Sequence, residues 1–384
     1  MTQEIINNIS EQAYIAEYSS MHSPKTVNNT LSLQWVSNLT NTDQSILEIR
    51  NNSGTSHFLN NLALSDDGKT IAAGTYDNSI YLLNQSGTIL WNKTSLYESS
   101  YINSFSLSPE GDYLAISDTN SFPEFNPAKA MSLINSSGKK LWNNSAGTFV
   151  FYSKVSSDGS YSVFGSRDNI TCFDKNGSSL WNFPVSSQVT SLDMAEDGRY
   201  TVALLGGKSA VCLDNGGKLL WEQEFNHANG IKISGDGNYI CLFGDSVIKL
   251  CFMNNKGDIF WNRTLNDKII ITELSYKGDN IVVRTTDNVY SYDLYGDRRW
   301  QYTSKVMQPS LHTLSPPVMA LSKDGLQTVL VEGSSLVILN NSGYNTGIYS
   351  FENTISGVCI SSDGKEVAAI TANDIYFLKN SIST

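Results

Sequence analysis

A short turn phrase recurs along the chain and constrains its fold more than any other feature. The phrase consists of an apolar residue, usually Ser, a variable residue, usually Asp, and Gly. Its eight copies end at Gly68, Gly111, Gly159, Gly198, Gly237, Gly278, Gly325 and Gly364. Neighbouring copies lie 39 to 48 residues apart. A recurring period of this length is typical of folds in which each repeat is one supersecondary unit.

A second phrase alternates with the first and ends in a tryptophan. It begins with Asn or Asp, and a glycine stands four residues before the tryptophan in each complete copy. The six complete copies end at Trp91, Trp142, Trp181, Trp221, Trp261 and Trp300. The seventh copy retains Gly343 but has Gly347 where the tryptophan is expected, and no eighth copy precedes Thr384.

Between the phrases lie short stretches rich in β-branched and aromatic residues, for example Tyr161–Gly165 and Ile281–Thr285. Such stretches, bounded by Gly, Asn and Asp, are typical of strands. Each repeat then has four antiparallel strands, A to D, with the first phrase joining A to B and the second joining C to D. The Asp of the first phrase is expected to bond the turn backbone rather than calcium, since one turn offers too few oxygens. The sequence therefore predicts an all-β, eight-bladed β-propeller of four-stranded antiparallel blades.

The segment Leu31–Trp35 ends like a D strand, although no A, B and C strands precede it. We expect it to complete the last blade beside Ile375–Asn380 and to close the ring with an N-terminal strand. Closure would remove the unpaired edges of an open array. The expected organisation is an N-terminal extension over residues 1–30 and one propeller domain over residues 31–384.

All seven tryptophans, Trp35 included, occupy one position of the repeat. We expect each ring to wedge its blade against the next one, rather than to form a glycan or quinone site. The repeat resembles that of the quinoprotein-like (PQQ-like) β-propellers with tryptophan docking, and Cys212–Trp221 is the closest copy. The resemblance covers nearly the whole chain from Leu31. Here the phrase is one residue shorter between Asp and Gly, which makes it similar to the variant of non-catalytic relatives.

Residues for catalysis are not indicated. The sequence has no HExxH, GxSxG, Walker or EF-hand motif. Catalytic quinoproteins would, by resemblance, need a vicinal disulfide and a calcium-binding acidic cluster, and the sequence has neither. Cys172, Cys212 and Cys251 are interpreted as equivalent buried positions of strand C. We expect no catalytic residue and no cofactor, with a dehydrogenase dependent on pyrroloquinoline quinone as the alternative.

The connections on one face of the predicted ring vary in length. In a four-stranded meander the D-to-A and B-to-C connections emerge together, here called the loop face, and the A-to-B and C-to-D turns form the opposite turn face. Long connections follow Trp35, Trp91 and Trp300, and an insertion spans Thr119–Ala130. Loops on rigid scaffolds often carry binding residues. The candidate binding residues are Tyr97, Tyr101, Phe122, Pro123, Phe125, His57, Tyr302 and His312.

Three histidines, His57, His227 and His312, fall in D-to-A connections of blades that are not neighbours. Such positions do not favour a shared metal site, and no metal is expected. The net charge of −11, without a Lys/Arg cluster, argues against nucleic acid and anionic membranes as partners. No apolar run approaches the ~20 residues of a membrane span, so direct membrane insertion is not expected.

Scarce charge and abundant Asn, Ser and Thr favour an extracytoplasmic or cell-surface protein. The unpaired cysteines favour the cytoplasmic alternative. Residues 1–18 lack the basic and apolar parts of a signal peptide, so a signal or anchor is expected outside this sequence. We expect a non-catalytic platform that recognises a protein or a glycan through its loop face. A structural module of a cell-surface assembly is a further alternative.

Overall fold

The computed structural model describes residues 30–38, 61–74, 79–94, 100–120, 131–225, 227–244, 250–304, 318–371 and 374–381. Within these ranges the chain forms eight four-stranded antiparallel sheets, which confirms the predicted eight-bladed propeller. Glycines in the left-handed region and Asp or Asn side chains end the strands at regular intervals. The first strand of each blade packs against the first strands of its neighbours, so these strands line the ring axis.

The first four blades have the following strands. Blade 1 contains β2 (Asn61–Leu64), β3 (Thr70–Gly74), β4 (Ser79–Asn84) and β5 (Ile89–Thr94). Blade 2 contains β6 (Ser100–Leu107), β7 (Tyr113–Asn120), β8 (Met131–Asn135) and β9 (Lys140–Asn144). Blade 3 contains β10 (Val150–Val155), β11 (Ser162–Ser166), β12 (Asn169–Phe173) and β13 (Ser179–Pro184). Blade 4 contains β14 (Val189–Met194), β15 (Tyr200–Leu205), β16 (Ser209–Asp214) and β17 (Leu219–Glu224).

The remaining blades continue the pattern. Blade 5 contains β18 (Ala228–Ile233), β19 (Tyr239–Gly244), β20 (Leu250–Asn254) and β21 (Ile259–Arg263). Blade 6 contains β22 (Ile269–Leu274), β23 (Ile281–Thr285), β24 (Asn288–Tyr292) and β25 (Arg298–Thr303). Blade 7 contains β26 (Met319–Leu321), β27 (Gln327–Glu332), β28 (Ser335–Asn340) and β29 (Asn345–Ser350). Blade 8 contains β30 (Gly357–Ile360), β31 (Glu366–Ile370), β32 (Asp374–Asn380) and β1 (Leu31–Asn38).

Blade 8 is closed by the N-terminal strand, as predicted. β1 pairs antiparallel with β32, with Leu31 opposite Asn380 and Trp35 opposite Phe377. The ring is therefore held by backbone hydrogen bonds between the two ends of the described chain.

Each tryptophan of a D strand lies against the C–D turn glycine of the following blade. A β-carbon at Gly217 would lie 2.5 Å from Cγ of Trp181, and Gly217 has a φ of +78°. Both the left-handed backbone and the close ring require glycine there. The Trp181 Nε1 also donates a hydrogen bond to the Asn215 carbonyl at 3.0 Å. Trp35, Trp91, Trp221 and Trp261 donate to the next turn in the same way.

The junction between blades 7 and 8 lacks this tryptophan. Gly347 pairs with Ile338 at the position where a tryptophan stands in the other blades. Blade 8 has no C–D turn to receive a ring, because its strands C and D come from distant parts of the sequence. Instead, Thr30 N donates to Thr346 O at 3.3 Å, and Ser381 N donates to Thr30 O at 2.7 Å.

The interpretation of the three strand-C cysteines is wrong for one of them. Cys172 and Cys212 lie opposite Trp181 and Trp221, respectively. In blade 5 the residue opposite Trp261 is Phe252, whereas Cys251 lies opposite Asn262. Cys251 is nevertheless buried, since both faces of a blade pack against neighbouring blades.

Candidate functional site

The A–B turns form a hydrogen-bonded ring around the axis at the turn face. Asp66 N donates to Pro109 O at 2.8 Å, and Ser362 N donates to Asp66 O at 2.9 Å. Further donor and acceptor pairs are Ser157 and Glu196, Glu196 and Gly235, Asp236 and Tyr276, Tyr276 and Lys323, and Asp324 and Ser362. Pro109 has no N–H, so the ring is interrupted between blades 2 and 3. These contacts hold the turn face together around the axis.

An ion-pair cluster crosses the centre of this face. Lys323 of blade 7 contacts Asp66 Oδ2 of blade 1 at 2.5 Å, and it also contacts Glu196 Oε1 of blade 4. Burial raises the pKa of the Asp66 carboxyl, and the Lys323 ammonium partly offsets this shift. Burial likewise raises the pKa of Glu196, again against the opposing effect of Lys323. The cluster therefore ties together three blades that are not neighbours.

A second set of charged side chains lies on the innermost strands of blades 3 to 6. Lys154 pairs with Asp193 at 2.8 Å, and Lys232 pairs with Glu273 at 3.0 Å. Asp193 also accepts a hydrogen bond from Ile233 N at 3.0 Å. Burial acts to raise the pKa of Asp193, but Lys154 and Lys232 hold it below its usual value. Equivalent positions of the other four blades carry Ala63, Ser106, Ala320 and Cys359.

These residues do not fit the calcium and quinone of catalytic quinoproteins. Calcium needs six to eight oxygen ligands, whereas each carboxylate of these two clusters is already paired with a lysine. All five cysteines are free, and no two are adjacent in sequence. Within the described ranges, no group of three or more His, Cys, Asp or Glu side chains could hold a metal ion.

On the loop face, an aromatic and arginine cluster lies at the start of blade 3. The Phe149 and Phe151 rings stack with centroids 6.4 Å apart, and the exposed Arg167 guanidinium lies 5.6 Å from the Phe149 centroid. Arg167 N also donates to Phe149 O at 3.1 Å. The connections that carry these residues are of ordinary length, so loop length did not reveal them. In the sequence, the only indication of this cluster is that two Phe residues begin blade 3 and an Arg follows its second strand.

Two hydrogen bonds to neighbouring blades fix strand β10 beneath this cluster. The Tyr152 hydroxyl donates to Thr190 O at 2.5 Å, and burial raises the pKa of Tyr152 to about 12. The phenol is therefore neutral across the physiological range. Asn103 of blade 2 donates through Nδ2 to Val150 O at 2.5 Å. Neighbouring blades thus brace the strand that presents Phe149 and Phe151, the kind of rigid support a binding surface needs.

Tyr302 differs from a simple exposed loop residue. Tyr302 lies in β25 and is half-buried. Burial of the phenol and the nearby Glu332 carboxylate raise the pKa of Tyr302 to about 12. Arg284 lies nearby with no exposed surface and donates to the carbonyls of Val318 and Val331 at 2.5 and 2.6 Å. Tyr302 therefore belongs to a buried polar group between blades 6 and 7.

The other candidate residues are placed only in part. Tyr101 lies in β6, opposite Thr119 of β7. His227 is exposed between β17 and β18, with a left-handed φ of 63°. His57, Tyr97, Phe122, Pro123, Phe125 and His312 lie outside the described residues. In the part of the chain that the structure covers, no helix is long and apolar enough to cross a membrane.

Comparison with known proteins gives the same fold, a β-propeller. Residues 206–372 match the family described as outer membrane protein assembly factor BamB, and residues 48–84 match the WD domain, G-beta repeat. The crystal structure of BamB from Moraxella catarrhalis superposes with a TM-score of 0.64 at 13% identity, covering 92% of this chain and 99% of that one. No curated protein matches the sequence significantly. Together with the docked tryptophans, these matches show that the chain is similar to the PQQ-like β-propellers and shares their fold.

Proposed function

We propose that the chain is a non-catalytic, extracytoplasmic scaffold that binds another protein through its loop face. The match to an outer membrane protein assembly factor supports a role in protein interaction. Each axial carboxylate is paired with a lysine, which supports a structural role for these groups rather than a catalytic one.

The observation that carries the proposal is the cluster of Phe149, Phe151 and Arg167. Aromatic residues and arginine are enriched at the energetically important centres of protein interfaces. Stacking on Phe149 orients the Arg167 guanidinium and leaves its N–H groups available for a partner carboxylate or carbonyl. The cluster follows blade 2, whose B-to-C connection carries the insertion with Phe122, Pro123 and Phe125.

The first test maps the interacting face with a photo-crosslinking amino acid in cells that produce the protein. Placed at Phe151, it should yield a protease-sensitive adduct that Arg167→Ala weakens. Tyr295 and Tyr344 provide matched control positions on the turn face, where their side chains are 82% and 71% exposed. Adducts from the controls but not from Phe151 would contradict the proposed face.

The second test removes the blade 2 insertion. Residues 121–130 are replaced by Asn-Gly, so that β7 and β8 keep their ends and are joined by a short hairpin turn. We expect an unchanged melting temperature and loss of the adduct at Phe151. A melting shift of the wild-type protein with pyrroloquinoline quinone and calcium would contradict the non-catalytic assignment.

A further inference from the structure

A pocket of about 380 Å³ opens on the turn face between blades 3 and 4, opposite the loop face. Apolar surface comes from Trp181, Tyr161 and Leu180. The polar groups belong to Asp174, Lys175, Asn176 and Asn215. Small-molecule sites combine such apolar walls with a few polar groups, in volumes of about 300–1,000 Å³.

One wall of the pocket is formed by the C–D turn of blade 4, which has a glycine that the other turns lack. Gly216 lines the pocket. The equivalent residues of the other complete turns all carry side chains: Ser86, Ser137, Asn176, Lys256, Tyr295 and Ser342. The backbone of Gly216 does not require glycine, since its φ lies outside the left-handed region and a β-carbon would meet only Asp214 Oδ1 at 3.3 Å. The turn itself therefore does not need glycine at position 216.

The tyrosines equivalent to Tyr161 in blades 2 and 5 contact long side chains. The Lys175 ammonium of blade 3 lies 4.3 Å from the centroid of the Tyr113 ring of blade 2. Within blade 5, Phe260 packs against Tyr239, with centroids 6.0 Å apart. At Tyr161 the corresponding positions carry the smaller Asn215 and Leu180, which line the pocket.

The polar groups of the pocket suit a neutral ligand with many hydroxyls. Asn215 donates to the Tyr161 hydroxyl at 3.3 Å, which leaves its amide oxygen as an acceptor. Asp174 Oδ1 accepts the turn N–H groups of Asn176 and Ser178 at 2.8 Å, and the adjacent Lys175 balances its charge, so the lining favours a ligand without net charge. A purely apolar ligand would bury these groups without partners.

From these features we propose that the pocket between blades 3 and 4 binds one pyranose ring of a neutral saccharide. The C–H face of the sugar would pack on Trp181 and Tyr161. Its hydroxyls would bond the amides of Asn176 and Asn215 and the carboxylate of Asp174. This site is separate from the loop face, so the protein could hold a glycan and a protein partner at once.

The test screens the full chain against neutral and acidic disaccharides on a glycan array and measures the strongest binder by titration calorimetry. Gly216→Tyr adds a large side chain to the lining of the pocket, at the turn position that Tyr295 occupies in blade 6. We expect it to weaken binding by about tenfold or more, with an unchanged melting temperature. Tyr295→Gly is the matched control and should bind like the wild type.

Three results would overturn the proposal. They are the absence of binding at millimolar saccharide, equal affinity in folded Gly216→Tyr, and a preference for acidic sugars. Asn176→Ala, in an exposed turn position, provides a second variant that should weaken binding without affecting the fold. The crosslink at Phe151 should persist in Gly216→Tyr, so failure of one proposal is distinguishable from failure of the other.

Discussion

Trp35 stacks on Phe377, with ring centroids 5.5 Å apart and ring planes 8° from parallel. Trp35 also donates its indole N–H to Gln85 O of blade 1 at 2.8 Å. One side chain therefore secures the closing strand to blade 8 and joins that blade to the first.

Loss of the closing strand should destabilise the whole ring. Deletion of residues 1–36 removes most of β1 and exposes the edge of β32, so we expect a sharply lower melting temperature or aggregation. Trp35→Ala alone should cost about 3–5 kcal/mol of unfolding free energy. Deletion of residues 1–29 is the control, since it retains Thr30 and β1. Equal melting curves for the two deletions would show that β1 does not close the ring.

Two adjacent glycines should respond differently to alanine. Gly217→Ala places a β-carbon 2.5 Å from Trp181 on a backbone with φ of +78°. Left-handed strain of about 1–2 kcal/mol adds to overpacking of about 1–3 kcal/mol. Gly216→Ala meets neither obstacle and should stay within about 0.5 kcal/mol of the wild type. Urea unfolding of both variants measures the difference, and similar costs would contradict the docking account.

Replacing Lys323 should make stability depend on pH. Lys323→Met leaves the half-buried Asp66 and Glu196 without their shared cation, at a cost of about 1–3 kcal/mol near neutral pH. Both carboxyl groups already have a raised pKa in the folded protein because they are buried. A carboxyl with a raised folded pKa binds its proton more tightly when folded, so acidification favours the folded state. The deficit should therefore shrink as the pH falls through the raised pKa values towards the unfolded value of about 4.

Urea titrations of Lys323→Met at pH 7 and pH 5 test this. Adding Asp66→Asn and Glu196→Gln removes the charges and should abolish the pH dependence of the deficit. Lys69→Met is the surface control, because Lys69 pairs with Asp67 at the exposed edge of the same face; its urea midpoint should match the wild type. A deficit that stays constant between the two pH values would contradict the role of the carboxylates.

Buried thiols should be unreactive until the protein unfolds. Burial raises the pKa of Cys172, Cys212 and Cys251 to about 12 in each case, so the reactive thiolate is scarce at pH 8. A cysteine thiol in the unfolded chain has a pKa of about 8.5. Stability should therefore fall as the pH rises above that value, since only the unfolded state releases these protons. A chromogenic disulfide reagent should label these three thiols at the rate of unfolding, and rapid labelling of the native protein would contradict their burial.

The ring and its closure were predictable because the glycine and tryptophan phrases repeat in every blade. The axial clusters were not, since Lys323, Asp66 and Glu196 occupy the variable position of the turn phrase. Each looks like a solvated turn residue when its repeat is considered alone. Only the curvature of eight blades brings them together. Counting back from Gly257 would have placed Phe252, rather than Cys251, opposite Trp261.

The candidate sites were predicted less well, for a different reason. Loop length directed attention to insertions such as the one before Met131, whereas the cluster at Phe149 lies in a short connection. The pocket is lined by parts of two neighbouring blades, and a single sequence does not show whether the turn glycine in its lining is needed for the backbone. That required the φ angle and the surroundings of the residue.

The closing strand also sets the order of events during synthesis. Ser32 of β1 bonds Lys379 of β32 across 347 positions of sequence. At about 5–20 residues per second, β1 leaves the ribosome on the order of tens of seconds before its partner. During that interval blades 1 to 7 can assemble while both ends of the array remain unpaired. The last blade can therefore form only after synthesis of β32, however early the other blades fold.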